Sequence, residues 1–187
     1  MNAEEGKPTR LSQVIITELM IPSYANFGGK IHGGILLSLM DKVAYATAAK
    51  HSGTYCVTVS VDTVDFLQPI EVGELVSLKA RINYVGNSSM VVGIKVISEN
   101  VKTGAIKHTN TSYFTMVAKD ENDSPKKVPP LILEDKTDVR RFVEAIYRRR
   151  LKNESKESFK KAKKEWNQEQ INQLLANERC IQRLNEY

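Results

Sequence analysis

The sequence predicts an α+β domain in which an antiparallel sheet wraps around one central helix, followed by a helical extension. Two observations carry that expectation. Residues 35–50 form a single apolar-rich run of helical length, and five strand-like runs flank it, one before and four after. A third observation sets off the C-terminal part. Residues 136–187 hold 14 of the 27 Lys+Arg and 8 of the 22 Asp+Glu, so the net charge of +5 belongs to the tail while residues 1–135 are close to neutral.

In chain order, Met1 to Arg10 is polar and has no apolar stretch of the secretory-signal kind. Gln13–Ile21 reads as the first strand, ended by Pro22, and Ser23–Lys30 with Gly28 and Gly29 reads as a loop. Gly33-Gly34 opens the helix Ile35–Lys50, which is apolar nearly all round and so is expected to be buried on every side. The strands Tyr55–Phe66, Glu74–Val85, Ser89–Ser98 and Lys107–Val117 follow. Val76, Leu78, Ala80 and Ile82 alternate with Ser77, Lys79, Arg81 and Asn83, the period of two of a half-buried strand. Gly86-Asn87-Ser88 and Thr103-Gly104 supply turns. With only one helix to cover, the sheet should curl around it, which is the layout of the hotdog fold. Its open edge invites a second copy of the chain.

Asp120–Pro130 is charged and proline-containing and reads as a linker, dividing the chain into residues 1–130 and a basic helical extension, 131–187. In that extension Val139, Phe142, Val143, Ile146 and Leu151 follow helical spacing. A second helical stretch carries Phe159, Ala162, Trp166, Ile171, Leu174, Leu175, Ile181 and Leu184, with a break expected at Asn153–Ser155. The amphipathic pattern points to packing on a protein surface rather than to nucleic acid. No run reaches the roughly 18 apolar residues of a membrane span. Cys56 and Cys180 stand far apart, which fits a reducing cytoplasm, and Cys56 reads as a small core residue.

Asp41 draws attention by its company. It is the only acid between Gly34 and Ala49, among Leu39, Met40, Val43 and Ala44. A carboxylate desolvated there would serve as general base or nucleophile near neutral pH; the competing reading places it on a polar stripe with Ser38 and Lys42. Gly33 and Gly34 give the helix start exposed amides and close access, which suits a developing oxyanion. Asp41 lies seven residues beyond Gly34, about 10 Å along the axis. A single reacting carbon must sit about 3 Å from both groups, so either the features are unrelated or two copies share the site. His32, His51 and His108 are dispersed and give no metal-ligand spacing. His51 ends the helix, where a cation suits the dipole.

The stretch Pro22-Ser23-Tyr24-Ala25-Asn26, Gly33-Gly34 and Leu39-Met40-Asp41, then Val57-Thr58-Val59-Ser60-Val61-Asp62, Asp65-Phe66-Leu67-Gln68-Pro69-Ile70, Val72-Gly73-Glu74 and Val85-Gly86-Asn87-Ser88-Ser89-Met90, resembles one family. It is the acyl-CoA thioester hydrolases that include the cytosolic brain-type enzyme and its short bacterial relatives. The resemblance covers about residues 10–135. It implies that Asp41 is the catalytic acid, that Asn26 is its partner from the other hotdog unit, and that Gly33 and Gly34 polarise the thioester carbonyl. It further implies an acyl-CoA substrate, CoA as part of that substrate and no other cofactor, no metal, and a homodimer assembled as a trimer of dimers. Asn87, Ser88 and Ser89 are candidates for CoA contacts. Lys30 and Tyr24 depart from the family pattern, and the tail is longer than usual. The competing functions are a non-catalytic acyl-CoA-binding protein and an enoyl-CoA hydratase of the same fold; for the hydratase, no second catalytic His accompanies Asp41.

Overall fold

The computed structural model describes residues 5–183; Met1–Glu4, the start of the polar N-terminus, and Leu184 of the tail lie outside the described residues. Two compact units are present, Met1–Ala145 and Ile146–Tyr187. In the first, β1 (Lys7–Pro8) and β2 (Val14–Leu19) precede α1 (Gly33–Ser52), followed by β3 (Cys56–Val61), β4 (Glu74–Val85), β5 (Ser89–Asn100), β6 (Ile106–Ala118) and β7 (Leu131–Ile132). The five longer strands form one antiparallel sheet in the order β2-β4-β5-β6-β3. This is the hotdog fold.

The alternation in the sequence is what builds it. Val76, Leu78, Ala80 and Ile82 of β4, Met90, Val92, Ile94 and Val96 of β5, and Phe114, Met116 and Ala118 of β6 are buried on the sheet's inner face. They close on Leu36, Leu39, Met40, Val43, Ala44 and Ala48 of α1, forming one core. These helix positions recur at steps of three and four, a single face. The expectation of burial all round is therefore corrected. Leu37, Ser38, Asp41, Lys42 and Tyr45 point away from the sheet and are exposed. In a single chain one sheet covers one face, and among the described residues the other stays exposed.

Strand β3 is shorter than the sequence pattern predicts, ending at Val61 rather than Phe66. The chain beyond it still runs beside β6, with Asp62 N donating to Tyr113 O at 2.9 Å and Leu67 N to Thr109 O at 2.9 Å. Val59 and Val61 of this edge strand are exposed.

The segment read as a linker is tied down instead. Lys126 N donates to Ala118 O, Val128 N donates to Asn87 O, and Val128 is buried. Beyond it β7 pairs in parallel with β1. His51 holds this layer. Its Nε2 lies 3.1 Å from Pro129 O and its Nδ1 2.9 Å from Ser12 Oγ, and the side chain is 1% exposed. Burial pushes its pKa below the ordinary value, against the opposing pull of the Pro129 carbonyl and with some help from Lys7. The cation expected at the end of α1 is thus not His51 but Lys7, whose Nζ donates to the carbonyls of Lys50 and His51.

Helix α2 (Lys136–Glu165) starts in the first unit, where buried Asp138 takes Arg81 as its partner and Phe142 meets the Tyr84 ring at 5.0 Å. It does not break at Asn153–Ser155; Arg150 and Glu154 pair across that point at 2.7 Å, one helical turn apart. In the second unit the break falls at Asn167, which caps α3 (Gln168–Leu175) by a reciprocal pair of hydrogen bonds with Gln170. Phe159 and Trp166 meet edge to face at 6.0 Å. No helix among the described residues is long and apolar enough to cross a membrane.

Candidate active site

Helix α1 carries both sequence-predicted features on its uncovered side. At its start His32 is the N-cap: its Nδ1 accepts from Gly34 N at 2.9 Å, which places the ring proton on Nε2. Gly34's amide is thereby engaged within the chain. Gly33 is the first helical residue, where an amide has no carbonyl of its own helix to bond. A Cβ there would approach the Phe66 ring to 3.2 Å. Gly33 and Phe66 share a depression of about 360 Å³ with Leu36, Gln68 and Ile70.

Two turns along, Asp41 is exposed rather than enclosed by its apolar sequence neighbours, because Leu39, Met40, Val43 and Ala44 turn inward to the sheet. Its environment is nonetheless specific. Thr58, on edge strand β3, donates from Oγ1 to Asp41 Oδ1 at 2.6 Å, fixing one carboxylate oxygen. The sequence motif assigns Thr58 no role; its signal there is its place on the polar side of the β3 alternation. Asp41 and Thr58 line a second depression, about 420 Å³, with Tyr45, Tyr55 and Val57. The rings of Tyr45 and Tyr55 are 6.1 Å apart. This depression shares no lining residue with the one at Gly33.

Asn26 sits in the exposed loop before α1. Its Oδ1 accepts from Gly28 N at 2.9 Å and Lys30 N at 3.2 Å, and Gly29 takes φ 74° to close the turn. The turn-capping use of the carbonyl leaves Nδ2 as the donor this side chain can offer. The neighbouring Phe27 is fully exposed, at 114%. Lys30 is held by Glu71 in an ion pair. Asn87 and Ser88 lie in the β4–β5 turn, and Ser89 is the first residue of β5. The turn is at the end of the sheet nearest Thr58, since Met90, Met116 and Thr58 stand in one cross-strand row. The carbonyls of Asn87 and Ser88 bind Val128 N and Ala118 N, so side chains remain for a ligand.

The chain is thus a hotdog unit with Asp41 on the exposed side of its central helix and Gly33 and Gly34 at that helix's start. The family model described as Thioesterase superfamily matches residues 28–105. Protein VdlD of Helicobacter pylori is 45% identical over 141 residues, 75% of this chain and 80% of that one. An apo-hexameric acyl-CoA thioesterase of known structure is 34% identical with a TM-score of 0.78, over 81% of this chain and 97% of that one. The acyl-CoA hydrolase of Staphylococcus aureus, solved with butyryl-CoA, CoA and CoA disulfide, is 32% identical with a TM-score of 0.73, over 83% and 98% of the two chains. That enzyme has also been solved as variants in which an Asp, an Asn or a Thr is replaced by Ala. This chain belongs to the thioesterase superfamily, among the acyl-CoA thioester hydrolases.

Proposed function

We propose that this chain hydrolyses acyl-CoA to free CoA and a carboxylic acid at a site completed by two copies of the chain. The observation that carries this reading is the separation of Asp41, oriented by Thr58, from the amide of Gly33: each lines a depression of its own. A second copy can bring Asn26 and the helix start of one chain to Asp41 of the other. The uncovered faces of α1 and β3 are supplied for this, with Leu37, Tyr45, Val59, Val61 and Phe27 all exposed. The Asp, Asn and Thr replaced in the Staphylococcus aureus enzyme have the same spacing along that chain as Asn26, Asp41 and Thr58 have here.

In this reading Asp41 Oδ2 takes a proton from water as its oxygen attacks the thioester carbon. The carbonyl oxygen, now charged, is met by the Gly33 amide. Gly34's amide joins once His32 Nδ1 releases it. Asn26 Nδ2 holds the carbonyl or the water. Collapse of the tetrahedral adduct breaks the C–S bond, and the CoA sulfur leaves with the proton held by Asp41. Asn87, Ser88 and Ser89 contact the pantetheine or phosphates of CoA. The assembly is a trimer of dimers working in the cytoplasm, and residues 131–187 serve packing rather than chemistry.

Thiol release from a panel of acyl-CoAs tests this. Asp41→Ala and Asn26→Ala should each be inactive, and mixing the two variants should restore part of the activity. Full activity in Asp41→Ala would remove Asp41 from the mechanism, and no recovery on mixing would remove the shared site. Single turnover in ¹⁸O-water probes the role of Asp41: a first product without label, its oxygen having come from the Asp41 carboxylate, marks a nucleophile.

A further inference from the structure

The outer face of the sheet, opposite α1, carries a cleft of about 390 Å³ between β4, β5, β6 and the first turns of α2. Its floor is set by cross-strand rows. Lys79 on β4 stands directly opposite Lys95 on β5, and in the next row Arg81 stands opposite Gly93. Like charges directly opposite in a sheet repel. Neither lysine has a carboxylate partner among the described residues, and Arg141 on the wall supplied by α2 has none either. The acids nearby are committed: Asp138 to Arg81, and Glu144 to Arg140. Burial, and then the nearness of Arg81 and Arg140, lowers the pKa of Arg141, against the opposing pull of Tyr113 and Asp138.

Two buried polar atoms in this cleft have no partner. Asn83 is 5% exposed and its Oδ1 accepts nothing; the Nε of Arg81 donates to nothing. An unmet buried acceptor costs about 1–3 kcal/mol. Its position is enforced, because the Asn83 amide packs where a side chain at Gly93 would have to be, 2.3 Å from a Cβ built there. Asn83 fills the space of a side chain and brings an unpaired carbonyl into a cleft also lined by Lys79, Lys95 and Arg141.

We infer that this cleft binds a phosphate group. A phosphate supplies negative charge for Lys79, Lys95 and Arg141 and an acceptor for Arg81 Nε; the free ion, as HPO₄²⁻, also supplies an O–H for Asn83 Oδ1, which a dianionic monoester supplies only from hydroxyls of its alcohol part. The site lies on the opposite side of the sheet from α1, so it is separate from the carboxylate and helix start assigned to hydrolysis, and it does not rest on that assignment. The phosphate comes either as the free ion or as a monoester on a small molecule.

Calorimetric titration of the full chain with inorganic phosphate and with glycerol phosphate, at ionic strength held constant with chloride, tests it. Wild type should bind at least one of them. Tighter binding of glycerol phosphate identifies an esterified ligand, and tighter binding of phosphate identifies the free ion. The exposed double substitution Lys79→Gln/Lys95→Gln, and separately Arg141→Gln, should each weaken binding by about tenfold or more while the Tm without ligand stays that of wild type. Absence of binding to wild type, or equal affinity in the charge-removed variants, overturns the proposal. A face covered by another copy of the chain gives the first of those results.

Discussion

The two ends of α1 each carry a histidine, and the two are used in opposite ways. His51, at the C-terminal end, is buried, and both ring nitrogens are spent on the chain itself, on Ser12 and on the Pro129 carbonyl. His32, at the N-terminal end, is exposed and holds only the Gly34 amide, a bond that a ligand can replace. Between them the inward face of the helix is packed and the outward face carries Asp41 to solvent. One end is finished within the chain; the other is left open. The closed end is tied to the chain through both nitrogens of His51, and the open end leaves the Gly33 amide and Asp41 for a ligand.

The sharpest way to break that contrast is Asp41→Ala. It should lower kcat/KM by about 10²–10⁴ and change unfolding free energy by less than about 0.5 kcal/mol, as for any exposed side chain; thiol release and urea melts read the two. His51→Leu should do the reverse. Leaving Ser12 Oγ and the Pro129 carbonyl unmet should cost about 2–3 kcal/mol in the urea melt, with activity per folded molecule retained. Thr58→Val keeps the shape of the side chain and removes the hydrogen bond to Asp41, so kcat should fall by about tenfold with no change in midpoint. At the closed end, Gly53 takes φ 70° to terminate α1, and Gly53→Ala should cost about 1 kcal/mol.

Protonation breaks the closed end more gently. Burial lowers the folded-state pKa of His51 first and most, so the unfolded chain takes up that proton more readily. Its contribution is fully present above the ordinary imidazole value of about 6.5 and is lost as the pH falls below it. Between about pH 7.5 and about pH 5.5 the Tm of wild type should fall further than that of His51→Leu. Parallel slopes would mean that His51 does not report on the closed end.

Much of this was legible in the sequence wherever side-chain pattern and burial coincide. Glu74–Val85 is a strand over the range its alternation predicts, because one face meets α1 and the other does not. The sequence singles out Asp41 as a candidate, but its surroundings are not legible there. Residues next to it in sequence point about 100° away around the helix, so apolar neighbours along the chain are not neighbours in space. The segment 120–130 read as a linker because its attachments run through backbone groups such as Val128 N and the Pro129 carbonyl, which leave no mark on residue type. Asn153–Ser155 looked like a break because Asn and Ser are weak helix formers, and the Arg150–Glu154 pair offsets that preference. The outer cleft was invisible for a different reason: Lys79 and Lys95 read as ordinary solvent-facing positions until their register set them opposite each other.

The parallel pairing of Lys7–Pro8 with Leu131–Ile132 joins residues from the two ends of the hotdog unit. A contact between segments so distant along the chain closes a large loop, and loop-closure entropy makes such contacts late in folding. The unit is therefore belted after its sheet has formed. Amides in that belt, such as Lys7 N on the Pro130 carbonyl and Val128 N on the Asn87 carbonyl, should exchange with solvent faster than those of β4 and β5. A chain ended at residue 130 would keep the sheet and lose the buckle.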